Sequence, residues 1–225
     1  MTRAVRDHTG SRNAVAVIVI AKAPRPGRVK TRLCPPCTPR EAAAIAEAAL
    51  ADTLATVMAA PVAARVLALD GPPGDWVPEG FTVVPQIGDG LDQRLAHAFT
   101  AVCGPALLIG MDTPQVSVDQ VASATRVLLS PSVDAVLGPA VDGGWWAIGL
   151  RHADPRVFVG VPMSTDHTYR DQRRRLGELG LRTATLDCLR DVDTFADASA
   201  VARSIPTSRF AVAVEALQRP EQIAG

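Results

Sequence analysis

The stretch Ala14-Val-Ala-Val-Ile-Val-Ile-Ala21-Lys22-Ala-Pro-Arg-Pro-Gly27-Arg-Val-Lys30-Thr-Arg32-Leu33 decides the fold. Its first part, Ala14 to Ala21, is an uncharged apolar run and reads as a strand buried on both faces. A basic loop broken by proline and glycine comes next and leads towards a helix. A strand that opens into such a loop is a common way to build a phosphate site. Lys22 and Lys30 are the only lysines in the chain; the other 21 basic side chains are arginine. A lysine ammonium is a compact, rotatable charge suited to polyphosphate oxygens, whereas arginine presents a planar fork. The competing reading is a basic surface loop, and the concentration of both lysines here favours the phosphate.

Outward from this loop, the charge is uneven. Residues 1–32 carry eight basic side chains against Asp7 alone, a net of +7 that the rest of the 225-residue chain cancels. A small anionic ligand accounts for that better than nucleic acid, because no basic stripe is interleaved with aromatics elsewhere. Residues 3–23 imitate a signal peptide, but the apolar run is short and is followed by more positive charge. No segment reads as a membrane span of about 20 apolar residues. Residues 1–13 read as a disordered leader, residues 14–225 as one domain, and the cytoplasm as its location. Cys34-Pro-Pro-Cys37 is a CxxC without a second pair or the strand–helix placement of a redox dithiol.

The remaining sequence alternates strand and helix, which predicts an α/β fold with a mostly parallel sheet covered on both faces. Thr38-Pro39-Arg40-Glu41 is a capping box opening a helix that stops at Pro61, with Ile45, Ala49, Leu54, Val57 and Met58 on its buried face. Strands are expected at 65–69, 81–84, 105–110, 133–137 and 183–186, and helices at 92–102 and from Ser117 to about Leu129. An apolar run after Trp146, a basic helix closed by Gly180 and a helix capped by Thr194 are also expected. Residues 208–217 are open between helix and strand.

In open α/β sheets, ligands collect outside the carboxyl ends of the strands. The Lys22–Lys30 loop falls there, and so does Asp112, in Gly110-Met-Asp-Thr-Pro114. A carboxylate held at a buried strand end suits a hard divalent cation, Mg²⁺ or Mn²⁺, with phosphates completing the shell. The alternative is a cap on the Thr-Pro turn. Asp142-Gly143-Gly144-Trp145-Trp146 lets backbone approach a ligand beside two indoles, at least one of which is expected in the core. Asp166 or His167 could be a general base, or the segment a simple N-cap. Asp191 and Asp193 repeat the strand-end carboxylate; either could be a second metal ligand, and Asp193 is taken as that ligand, the alternative being that it simply supports the next helix. Gln86 and Asp89, in the loop 86–90, are counted with the nucleotide-binding candidates. Neither GxxxxGK[ST] nor GxGxxG is present at the first strand.

Five motifs in order resemble a bacterial family of the nucleotide-diphospho-sugar transferase superfamily, DUF2064 or selenodomain-associated transferase. They are Ala21–Leu33, Gly110–Pro114, Asp142–Gly149, Ser164–Thr168 and Arg190–Thr194, and together they span roughly residues 14–198. The resemblance implies a GT-A type, Rossmann-like α/β/α sandwich. It places Lys22, Gly27, Lys30 and Arg32 on the nucleotide phosphates, Asp112 on the metal, and Asp142, Asp166 and Asp193 around the acceptor or metal. The sequence departs from the family at Trp145-Trp146, often tyrosine there, and at Met163, where tryptophan is expected. Glycosyl transfer from a nucleotide sugar to a small-molecule acceptor is the first expectation. Nucleotidyl transfer from an NTP to a phosphorylated acceptor is the second, and a non-catalytic nucleotide-binding regulator the third.

Overall fold

Seven strands pair into one sheet in the computed structural model, which describes residues 14–218. The strands are β1 (Ala16–Lys22), β2 (Ala64–Asp70), β3 (Thr82–Pro85), β4 (Ala106–Gly110), β5 (Ala135–Pro139), β6 (Trp145–Leu150) and β7 (Thr183–Thr185). Their order is β3-β2-β1-β4-β6-β5-β7. All pairs are parallel except those of β6, which runs against both β4 and β5. The helices are α1 (Pro39–Ala59), α2 (Leu91–Phe99), α3 (Val118–Leu128), α4 (Thr168–Glu178), α5 (Phe195–Ser204) and α6 (Arg209–Gln218).

The period of two along β1 divides the core. Val15, Val17, Val19 and Ala21 face one layer with Leu50 and Leu54 of α1 and Val121 and Leu128 of α3. Ala16 and Ile18 face the other, with Leu95 and Phe99 of α2, Leu176 of α4, and Phe158 from the loop after β6. Leu107 and Leu108, neighbours in β4, are fully buried on opposite faces; each such side chain contributes about 1.5–3 kcal/mol relative to exposure. A third cluster joins Leu33, Ile45 and Ala49 to Val201, Phe210 and Val214 of α5 and α6. This α/β/α sandwich is the predicted fold class.

Local chemistry fixes several boundaries. Capping boxes at Thr38, Ser117 and Thr194 open α1, α3 and α5. Residues 208–217 resolve as helix because Asp52 of α1 accepts from the Phe210 amide at 2.8 Å, and Phe210, Ala211 and Val214 repeat at helical spacing against α1. Helix α2 ends at Phe99, short of 102, where Thr100 turns its hydroxyl onto the His97 carbonyl. Strand β5 starts two residues later than 133, because the Val133 amide is spent on the Ser130 turn.

Two expectations are corrected. Met58 is 37% exposed rather than part of the buried face of α1. The reading that nothing approaches a membrane span also fails by length and composition: α1 has 21 residues and a mean hydropathy of 1.4. Alanine raises that value, and half of the apolar window packs inside the domain. The expected leader, residues 1–13, lies outside the described residues, as do residues 219–225.

Candidate active site

Strand β1 delivers Lys22 to the carboxyl edge of the sheet, and the loop behind it is pinned by buried Val29 and Leu33. Between these anchors Lys30 takes a left-handed conformation, φ 49° and ψ 37°, a backbone state uncommon outside glycine and one that costs free energy. The result is that its side chain turns inward, only 7% exposed, with Nζ 2.5 Å from Asp112 Oδ1 at the end of β4. The same ammonium donates to the Val192 carbonyl. Arg32, 72% exposed, reaches Asp193 Oδ2 at 2.7 Å. The Val192 amide donates to the Asp112 carbonyl at 2.8 Å, so the 191–193 segment is registered against β4 by backbone as well as by charge.

Carboxylate oxygens of Asp142, Asp191 and Asp193 all lie within 4.8 Å of one another. Burial, then the carboxylate of Asp142 and also that of Asp193, raise the Asp191 carboxyl to about 7, with Lys30 opposing. In the unfolded chain it ionises at the ordinary value of 3.8. Between those limits the folded state holds a proton that the unfolded state has released, so Asp191 lowers stability as pH rises from about 4 to about 7. In EDTA, Asp191→Asn should match wild type near pH 4 and gain on it with rising pH. By pH 8 the gain should be on the order of 1–2 kcal/mol, solvent screening included. Thermal melts of both proteins across that range check it, and a pH-independent difference would rule it out.

The Asp142 turn is stapled to the start of α4. Asp142 Oδ1 accepts from the Gly144 amide at 2.7 Å, and the Tyr169 amide donates to the Gly143 carbonyl at 2.9 Å. Gly143 has φ 90° and packs directly on the Asp166 backbone. Asp166, whose side chain is 90% exposed, accepts from His167 Nδ1 at 2.8 Å. That hydrogen bond and the imidazole charge hold the Asp166 carboxyl below its usual range. A carboxylate so stabilised is a weak proton acceptor and a good hydrogen-bond acceptor for a hydroxyl. His167 Nε2 is 3.6 Å from the buried Asp171. Of the paired indoles, Trp146 is 3% exposed in the core, donating to the Asp187 carbonyl at 2.9 Å. Trp145 faces the cleft.

These segments enclose a cavity of about 720 Å³. Lys22, Lys30, Arg32, Gln86, Asp112, Asp142, Asp166 and Asp193 line it, as does Asp191. Gly27, Asp89 and His167 are not among its walls. Gln86 spends its amide on the Ala21 and Ala68 carbonyls at 2.8 and 3.0 Å, tying β1 to β2 at the cavity floor. Arg28, Thr113, Leu91 and Leu95 line it too. The charge of Arg28 was a usable signal; the two leucines carried none. A larger hollow of about 900 Å³ lies along the outer, alanine-rich side of α1 with Trp76 and Pro78. Among the described residues, only Glu47 and Arg209 bring charge there, so the strand-end cavity is the better equipped for chemistry.

The family model for DUF2064, described as an uncharacterised protein conserved in bacteria, matches residues 45–165. The chain belongs to the DUF2064 family. That match takes in Asp112, Asp142 and Gly143 and stops short of the Lys22–Arg32 loop and Asp191–Asp193. A solved protein of Desulfovibrio desulfuricans G20 bearing the provisional name nucleotide-diphospho-sugar transferase covers more. It is 25% identical with a TM-score of 0.82, over 91% of this chain and 95% of that one. CMP:2-keto-3-deoxy-manno-octonic acid synthetase complexed with CTP shares the fold at TM-score 0.59 and 13% identity, over 86% of this chain and 99% of that one. Rv0371c of Mycobacterium tuberculosis H37Rv, complexed with manganese, does so at 0.51 and 18%, over 84% and 97%. No curated protein matches. The fold of this DUF2064 chain is thus that of the nucleotide-sugar transferases, and its donor set of carboxylate oxygens is the kind that hard divalent cations take.

Proposed function

We propose that this DUF2064 chain is a divalent-metal-dependent glycosyltransferase acting from a single domain. Its donor is a nucleotide-diphospho-sugar and its acceptor a small molecule. The observation that carries the reading is the strand-end cavity, where Lys22, Arg28, Lys30 and Arg32 face Asp112, Asp142, Asp166, Asp191 and Asp193. Clustered cations suit a diphosphate, and clustered carboxylates suit the metal that accompanies it. The provisional name of the Desulfovibrio desulfuricans protein supports the same class.

Asp193, with Asp142 and Asp191 within 4.8 Å of it, would hold Mg²⁺ or Mn²⁺ together with Asp112 from the end of β4. When bound, such a cation neutralises charge developing on the departing nucleoside diphosphate. Lys30 and Arg32, on the loop that also carries Lys22 and Gly27, take the remaining phosphate oxygens. Trp145 offers an apolar wall to a sugar ring. Asp166, kept ionised by His167, orients the acceptor hydroxyl at the rim, and Asp142, bound to the Gly144 amide, is placed to receive its proton.

Nucleotidyl transfer is the second reading, favoured by one feature: four basic side chains in one cleft exceed what a diphosphate requires and suit a triphosphate. Calorimetric titration with GTP, CTP, UTP, ATP, UDP-glucose and GDP-mannose, each with Mn²⁺ and with EDTA, separates the readings. Metal-dependent preference for a nucleotide sugar is expected. Preference for a free triphosphate would favour nucleotidyl transfer, and binding to none of them would end both.

A further inference from the structure

The two cations best placed for a phosphate are already engaged, each by a carboxylate that lines the cavity. Lys30 Nζ lies 2.5 Å from Asp112 Oδ1 and Arg32 is 2.7 Å from Asp193 Oδ2. Lys30 is the tighter of the two, 7% exposed and also donating to the Val192 carbonyl. A divalent cation would need the same carboxylate oxygen at about 2.0–2.1 Å for Mg²⁺. An ammonium already within hydrogen-bond distance of that oxygen both blocks the approach and repels the incoming charge.

We propose that Lys30 and Arg32 are resident counter-ions that exclude free metal, so that the ligand this site accepts is the metal–polyphosphate complex rather than the bare ion. The inference rests on the metal-dependent transferase reading above. A polyphosphate draws Lys30 off Asp112 and Arg32 off Asp193, exchanging one anionic partner for another. Each carboxylate is then free for the cation that the polyphosphate brings. The left-handed backbone at Lys30 directs its ammonium to Asp112, and the Val192 carbonyl adds a second acceptor there. Metal and phosphate therefore bind with mutual reinforcement, and by linkage each tightens the other by the same factor.

The test is calorimetric titration with Mn²⁺ alone, and with Mn²⁺ plus tripolyphosphate corrected for the complex formed in solution. Wild type should take Mn²⁺ alone weakly. Lys30→Gln should take Mn²⁺ alone about tenfold more tightly or better, and Lys30→Gln/Asp112→Asn should lose that gain. Arg32→Gln, at a side chain 72% exposed and so safe for folding, should tighten Mn²⁺ by about two- to fivefold. If Lys30→Gln does not fold, Arg32→Gln decides alone. Mn²⁺ affinity unchanged or weakened in whichever of these variants folds overturns the proposal. Wild type that binds metal–nucleotide while the variants treat Mn²⁺ as wild type does defeats only this coupling. Wild type that binds neither Mn²⁺ nor metal–nucleotide defeats the transferase reading with it.

Discussion

Asparagine in place of Asp112 should abolish metal-dependent nucleotide binding, weakening it by about 100-fold or more, roughly 3 kcal/mol. The substitution preserves size and removes the charge at the end of β4, where the 191–193 segment is registered by the Val192 amide at 2.8 Å. It also strips the ammonium of Lys30, 7% exposed, of its carboxylate partner. The Asp112 side chain is itself 47% exposed, so the cost to folding should stay near 1 kcal/mol, well below the binding loss. Calorimetry with Mn²⁺ and the preferred nucleotide, alongside a thermal melt, reads both quantities. Metal-dependent binding at wild-type strength in Asp112→Asn would remove Asp112 from the metal.

Gly143→Ala should be among the most damaging single changes in the chain. A Cβ there would lie 1.8 Å from the Asp166 carbonyl oxygen and 2.5 Å from its carbon, at a φ of 90°. Both obstacles are backbone, and the Tyr169 amide holds Gly143 in place from the start of α4 at 2.9 Å. Relief requires parting the Asp142 turn from α4, which opens the cleft. The expected loss is about 3 kcal/mol or more of stability, or roughly 6–12 °C in Tm for a domain of this size. Two neighbours calibrate it. Gly144→Ala meets the tip of the Asp142 side chain at 3.0 Å, which can turn aside, and Gly27→Ala meets nothing within 4 Å. Gly144→Ala should cost about 1 kcal/mol or less, and Gly27→Ala, at a φ of 73°, about 1–2 kcal/mol. Urea unfolding of the three variants gives the ranking, and Gly143→Ala within 1 kcal/mol of wild type would contradict the geometry.

The legible parts of this protein were those governed by neighbours in sequence. Uninterrupted apolar residues at 14–21, short and rich in valine and isoleucine, favour a strand buried on both faces, and Thr38-Pro39-Arg40-Glu41 closes its own hydrogen bonds within one turn. Residues 208–217 were ambiguous because alternating Ala and Val suit either period. The deciding partner, Asp52, lies more than 150 residues away. Strand β6 was legible as an apolar run but not as the one reversed strand, since its direction follows from pairing between β4 and β5. In the site, charged residues at strand ends were visible as candidates, whereas Leu91 and Leu95 lacked any chemical mark. Gly27 and His167 lie in the motifs and Asp89 in the 86–90 loop, yet all three fall outside the cavity walls, because proximity in sequence does not fix which way a loop turns.

The sequence by itself determined the class of fold, the strand that carries the basic loop, and the residue types offered at the carboxyl edge. These depend on local propensity, burial period and capping, which act over a few residues. Only the tertiary structure decided that Lys30 meets Asp112 and Arg32 meets Asp193, that Asp142, Asp191 and Asp193 converge, and that Gly143 lies against Asp166. Those contacts join segments separated by up to 161 residues. Their energies depend on distance and desolvation, quantities that exist only once the chain has packed.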